Sequence, residues 1–173
     1  MVKSKSFRTP RLLLRPTAVE DAAFIFELLN TPKWFEFIGD RKVRSIEAAG
    51  EYIREKMLPQ LERLGFSNYT VLRNEDGVKL GTCGLYDRPG IEGIDIGFAF
   101  LPEHEKKGYA FEASNELMRA AREDLGLTQI NAITDKDNFA SQKLLEKLGL
   151  VFTKTLCLPG EEKEVLFYEK TLT

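Results

Sequence analysis

The segment Ile94-Asp-Ile-Gly-Phe-Ala-Phe-Leu-Pro-Glu-His-Glu-Lys-Lys-Gly-Tyr-Ala-Phe-Glu-Ala113 constrains this chain more than any other. Ile94, Ile96, Phe98 and Phe100 alternate with Asp95, Gly97 and Ala99, the two-residue period of a strand with one large-residue face and one small-residue face. A ligand can lie along the small face. Phe111, Leu117, Met118, Ala121 and Leu125 then recur at helical spacing, so Lys107-Gly108-Tyr109-Ala110 should form the first helical turn. Such a turn carries unpaired N–H groups and the positive end of the helix dipole. Gly108 has no Cβ to hold an anion away, and Lys106 and Lys107 add two full charges. The arrangement suits a pyrophosphate.

Around this unit the patterning predicts a strand at 11–15, helices at 19–30 and 45–64, and strands at 67–73, 78–86 and 91–100. A helix at 108–125, a strand at 128–135, a helix at 138–148 and closing strands at 150–158 and 163–170 follow. Asn74-Glu-Asp-Gly77 predicts a hairpin turn, Arg88-Pro-Gly-Ile-Glu-Gly93 a second turn, and Leu158-Pro-Gly-Glu-Glu-Lys163 the loop of a last hairpin. Pro59 should kink or divide the second helix. Antiparallel strands followed by a strand–helix–strand unit give an α/β (α+β) fold, with a mixed, mostly antiparallel central sheet of about seven strands and helices on both faces. At 173 residues and 43% hydrophobic content, the simplest organisation is one domain spanning 1–173.

The strand, the turn, Lys107-Gly108-Tyr109-Ala110 and Glu112-Ala113 resemble the acetyl-CoA motif of the GNAT N-acetyltransferases, in the RimJ/RimL-like branch that modifies ribosomal-protein N-termini. Other segments match in order. Thr9-Pro-Arg-Leu-Leu-Leu-Arg15 resembles that branch's opening strand, Gly77 to Leu85 its central hairpin, and Asn138-Phe-Ala-Ser-Gln-Lys-Leu-Leu-Glu-Lys-Leu-Gly149 its closing helix motif. The resemblance spans nearly the whole chain. It implies an acetyl-CoA-dependent, metal-free transfer of acetyl to a primary amine in a ternary complex. A protein N-terminus is the leading acceptor and a small amine, such as a polyamine or an antibiotic, its rival.

That reaction must deprotonate an ammonium, stabilise a tetrahedral oxyanion and release a thiolate. By resemblance, a bulge splays strand 94–100 from its neighbour and frees the N–H groups of Phe98, Phe100 and Leu101 for the thioester carbonyl and pantetheine. Lys106, Lys107, Gly108, Tyr109 and Ala110 take the pyrophosphate. Asp95 stands where relatives often carry a general-base glutamate, and a solvated strand aspartate is the equal alternative. Asn138 and Ser141, three residues apart at a helix start, share one face. Resemblance makes Asn138 a pantetheine ligand and Ser141 the group that protonates the departing thiolate, while Asp137 or Asn138 would also serve simply as an N-cap.

Other residues invite simpler readings. Glu105 and Lys106 depart from the family pattern, and an acidic side chain beside a pyrophosphate is unfavourable unless it points away. His104, the only histidine, reads as a surface residue, and Cys83 as a buried small hydrophobe. Trp34, Phe35 and Phe37 lie where the family builds its acceptor wall, and core aromatics are the alternative.

A formal charge of −2 argues against a general nucleic-acid binder and leaves a surface that tolerates a cationic amine. No apolar run approaches the roughly 20 residues of a membrane span, and the basic start Met1-Val-Lys-Ser-Lys-Ser-Phe-Arg8 lacks the apolar core of a signal peptide. A cytoplasmic protein is expected, with homodimerisation left open. Cys83 and Cys157 show no metal-ligand spacing. A non-catalytic acyl-CoA sensor would keep the cradle at Lys107, Gly108 and Ala110 yet have no need of Asp95 and Ser141. A phosphate-cradle nucleotidase is disfavoured by the missing Gly-Lys-Ser/Thr sequence.

Overall fold

Alternating segments become strands in the computed structural model, which describes residues 4–173; Met1–Lys3 of the basic start lie outside the described residues. The strands are β1 (Phe7–Arg8), β2 (Leu12–Pro16), β3 (Asn68–Arg73), β4 (Lys79–Tyr86), β5 (Asp95–Phe100), β6 (Gln129–Asp135), β7 (Val151–Cys157) and β8 (Glu164–Thr171). They form one sheet in the order β1-β2-β3-β4-β5-β6-β8-β7. Only the β5–β6 neighbours are parallel. The strand beyond the expected seven is β1, whose two residues are too few for a period to show.

The helices are α1 (Ala22–Leu29), α2 (Pro32–Phe37), α3 (Ile46–Lys56), α4 (Leu58–Leu64), α5 (Tyr109–Glu123) and α6 (Phe139–Lys147). Pro59 divides the expected 45–64 helix: with no N–H to extend α3, it becomes a first-turn residue of α4. The short α2 was not expected. It begins where the Thr31 side chain accepts from the Trp34 N–H with Pro32 next in line, a start signal that was present in the sequence.

One face of the sheet packs Leu12, Leu14, Tyr69, Cys83, Leu85 and Ile96 against Ala113, Leu117, Met118 and Ala121 of α5. On the other face α1 and α3 supply Ile25, Leu28, Leu29, Ala49 and Ile53. This second face also carries a buried polar chain. Asn68 donates to Thr17 Oγ1 at 2.8 Å, Thr17 and Thr70 share a hydrogen bond of 2.9 Å, and Thr70 donates to Asp21 Oδ2 at 3.2 Å. Asp21 in turn accepts from both Arg15 Nη atoms at 2.7 and 2.8 Å and pairs with Lys79 at 2.7 Å.

The feature that creates the site is the seam between β5 and β6. These strands of six and seven residues share a single pair, Asp95 with Asn131, fixed by the Asn131 N–H donating to the Ile94 carbonyl at 2.9 Å. Beyond it they diverge. The β4–β5 ladder, by contrast, runs without a register shift from Tyr86↔Asp95 to Gly81↔Phe100. The bulge expected in this strand is therefore absent from its ladder with β4, and the opening arises entirely on the β6 side.

Candidate active site

Ladder parity decides which β5 amides face the seam. The Leu101 N–H donates to the Leu80 carbonyl at 3.0 Å, so Leu101, expected to offer a free donor, is already committed to β4. Its neighbours alternate in an antiparallel ladder, which turns the Phe98 and Phe100 N–H groups away from β4 and into the seam. The Phe98 and Phe100 side chains pack toward the core under α5, so these residues offer the seam their backbone.

A cleft of about 770 Å³ opens there, lined by Ile96, Gly97, Phe98 and Ala99 on one side and by Ile133, Thr134, Asp135, Asn138 and Ser141 on the other. The structure thus brings Phe98, Asn138 and Ser141 to one cavity. Trp34, Phe35 and Phe37 also line it: Phe35 and Phe37 are wall and join neither core cluster, whereas Trp34 is both, partly buried and packed against the α1–α3 cluster while it borders the cleft. The small-residue face of β5 is only partly open: Gly97 and Ala99 border the cleft, but Asp95 is buried. The Tyr86 ring lies against Gly97, and Ala99 packs with the α1–α3 cluster.

Asp95 is buried rather than solvated, and its carboxylate accepts from Arg88 Nε at 3.0 and 3.1 Å. Burial pushes this carboxyl upward while Arg88 opposes the shift, leaving it above the ordinary aspartate value. Arg88 lines the cleft; Asp95 stands behind it. Across the seam, Asn138 caps α6 by accepting from the Ser141 N–H at 3.2 Å, so the cap reading holds for its side-chain oxygen. Among the described residues the Ser141 hydroxyl has no protein partner. Asp135, buried at the cleft edge, is salt-bridged to Lys163 of the closing hairpin. Burial raises this carboxyl, but Lys163 and the Asp137 N–H hold it below the usual range.

The α5 N-terminus lies apart from the cleft lining. Gly108 is its N-cap at φ +82°, a conformation that disfavours other residues, and a Cβ there would fall 3.3 Å from Arg11 Nη2. The Glu112 N–H donates to the Gly108 carbonyl at 3.1 Å, which leaves the N–H groups of Tyr109, Ala110 and Phe111 outside the helix ladder. Lys106 and Lys107 precede them, exposed, with Lys106 at φ +61°. Tyr109 turns its ring into the core beneath the Arg11 guanidinium, 4.5 Å from the centroid. Arg11 clamps this turn, with Nε on Glu112 at 2.7 Å and Nη1 on the Lys107 carbonyl at 3.0 Å, and Thr9 also donates to Glu112. Glu105 is paired with Lys33 of α2, which resolves the awkward acid beside the cradle. His104 is half-buried in a 3-10 turn outside the cleft lining.

The family model for the acetyltransferase (GNAT) domain matches residues 11–151. The chain belongs to the GNAT acetyltransferase family. An uncharacterized N-acetyltransferase of Bacillus subtilis, YoaA, is 30% identical over 142 residues, 82% of this chain and 80% of that one. Among solved structures, a ribosomal L7/L12 alpha-N-protein acetyltransferase, RimL, in complex with coenzyme A superposes with a TM-score of 0.82 at 15% identity, covering 97% of this chain and 98% of its own. A spermidine N-acetyltransferase from Vibrio cholerae in complex with CoA and spermine gives 0.77 at 19% identity, covering 94% and 96%. At those identities the two structures speak for the fold. Members of this family transfer acetyl to an amine, and acetyl-CoA is the donor GNAT enzymes use. Among the described residues no cluster of His, Cys, Asp and Glu is arranged to hold a metal, and no helix is long and apolar enough to cross a membrane.

Three participants escaped the sequence: Arg88, Tyr86 and the Arg11–Glu112 clamp. Arg11 and Glu112 each lie in a family-like segment, but nothing in the sequence shows that they touch across a separation of 101 residues. Tyr86 and Arg88 flank the end of an ordinary strand and carry no motif.

Proposed function

We propose that this GNAT enzyme passes acetyl directly from acetyl-CoA to a protein N-terminal α-amino group bound in the same ternary complex. The observation that carries the reading is the seam: two β5 amides turn into it, and the cleft that opens there is bordered by Phe98 on one side and Ser141 on the other. The Phe98 and Phe100 N–H groups suit pantetheine and a thioester oxygen whose charge grows in the transition state. The exposed Lys106 and Lys107 and the free amides at the α5 N-terminus suit the pyrophosphate. Ser141 is placed to give its proton to the departing thiolate.

An N-terminal amine suits a site with few bases. Its unperturbed pKa is about 7.7–8.0 against about 10.4 for lysine, so a useful fraction is neutral near pH 7.5 without assistance. The cleft lining carries Glu36, Glu161 and Glu162, which can pair with a cationic acceptor, with Arg41 and Lys56 lining the same cleft. Those carboxylates serve a polyamine as well, and that is the second reading. Release of free thiol from acetyl-CoA with a panel of N-terminal peptides and small amines, with product masses, separates the two. Turnover confined to polyamines would displace the peptide reading, and binding without turnover on any acceptor would favour a sensor.

Asp95 enters this mechanism as the anchor of Arg88. Asp95→Asn is expected to lower kcat/KM about 10-fold at every pH from 6 to 9 while leaving the acid limb of the profile in place, the effect of a displaced wall group. Loss of that acid limb would instead make Asp95 the general base.

A further inference from the structure

We propose that Tyr86 limits the acyl chain this site accepts, holding it to acetyl; the inference rests on the acetyl-CoA reading above. Tyr86 is the last residue of β4, and its side chain folds back along the sheet instead of standing away from it. Beneath the ring lie Gly84 and Gly97, cross-strand partners on β4 and β5. A Cβ on Gly84 would sit 2.3 Å from the Tyr86 hydroxyl oxygen, and one on Gly97 would sit 3.0 Å from Cε2. The paired glycines therefore make a bare backbone platform: a side chain at Gly84 would displace the ring, and one at Gly97 would press it outward by a few tenths of an ångström.

The ring is fixed from two sides. Its hydroxyl donates to Asn68 Oδ1 at 2.5 Å, and Asn68 is held by its own bond to Thr17 in the buried polar chain. The Arg88 guanidinium lies 5.2 Å from the ring centroid and is fastened by Asp95. Tyr86, Gly97 and Phe98 all border the cleft, and of the two amides that face the seam the Phe98 amide is the one whose residue lines it. A thioester carbonyl held by that amide directs its acyl substituent to the stretch of wall that Tyr86 covers. A methyl group fits beside a fixed ring, whereas a longer chain running along this wall meets the ring and competes with its seat on the glycine platform.

The test is calorimetric binding of CoA, acetyl-CoA and butyryl-CoA to the wild type, Tyr86→Phe and Tyr86→Ala, which needs no knowledge of the acceptor. Wild type should bind acetyl-CoA at least about 10-fold more tightly than butyryl-CoA, since a badly fitting methylene discriminates on that scale. Tyr86→Phe keeps the ring on its glycine platform but loses the bond to Asn68, so its preference should fall between those of the wild type and Tyr86→Ala. Tyr86→Ala should bring the two affinities within about threefold of each other, with binding of CoA itself unchanged; Tyr86→Leu serves the same comparison if the alanine variant does not fold. A folded Tyr86→Ala that retains the wild-type preference overturns the proposal, as does a wild type that binds CoA but is indifferent to acyl length. A wild type that binds none of the three overturns the acetyl-CoA reading itself, a failure distinguishable from the other two.

Discussion

Ser141→Ala is expected to lower kcat about 100-fold while changing the affinity for acetyl-CoA less than about threefold, because a positioned proton donor contributes on the order of 10²–10⁴ to rate and acts only as the bond breaks. Ser141 lies in the first turn of α6, where the Asn138 cap fixes its backbone at 3.2 Å, and it shares the cleft with Gly97 and Phe98. The substitution removes one oxygen from a partly exposed site and leaves the cap intact, so the thermal midpoint should not move. Steady-state thiol release at saturating acetyl-CoA, with calorimetric affinity measured alongside, checks it. Undiminished turnover in the folded variant would remove Ser141 from the chemistry. A loss appearing only as weaker acetyl-CoA binding would make it a ligand contact instead.

The largest effect on stability is expected at Asp21, far from the chemistry. Its carboxylate is fully buried and ties Arg15 and Lys79 to the polar chain on the second face of the sheet. Burial alone pushes this carboxyl upward, but the Arg15 guanidinium, the Ala18 N–H and the Lys79 ammonium outweigh it and hold the group well below the usual carboxylate range. Asp21→Asn strands two cations whose heads are partly wet, and should cost about 2–3 kcal/mol, less than the roughly 3–5 kcal/mol of breaking a fully buried pair. For a chain of this size that corresponds to a fall in thermal midpoint of roughly 5–10 °C at pH 7. A carboxyl depressed in the folded state contributes its stability above its unfolded pKa and loses it as pH falls. The gap between wild type and variant should therefore be full at pH 7 and shrink below about pH 4. A gap unchanged at pH 3 would mean that the loss comes from packing rather than charge.

What could be read from the sequence was what repeats locally. Strand 95–100 and helix 109–123 declare themselves because the period changes from two to 3.6 across a stretch of charged residues and one glycine. Pro59 divides its helix for a reason contained in one residue. The six residues of α2 make fewer than two turns, too few for a helical stripe, and only the Thr31-Pro32 start betrayed it. The committed Leu101 amide shows a deeper limit. Whether an N–H faces the seam or β4 depends on register against a strand about twenty residues away, and shifting that register by one residue reverses every assignment. Likewise Asp95 looked equally suited to base and to solvent, and is neither open nor solvated, because Arg88, seven residues earlier, returns over it from the intervening loop. The side chains of the site were largely in view; which atoms point where was set by pairing between distant segments.

The single shared pair between β5 and β6 makes this sheet two leaves, β1–β5 and β6–β8, joined along their common edge at one point. A continuous ladder there would have added several backbone hydrogen bonds to the middle of the molecule, where they are best shielded from water. The fold forgoes them, and besides its outer edges at β1 and β7 the sheet keeps an edge inside, where something slender and hydrogen-bonding can enter. An extended amide-bearing chain lying in that opening would act as a ninth strand. Binding and completing the sheet would then be the same event, and a donor that has lost its acyl group would still fit almost as well as one that carries it.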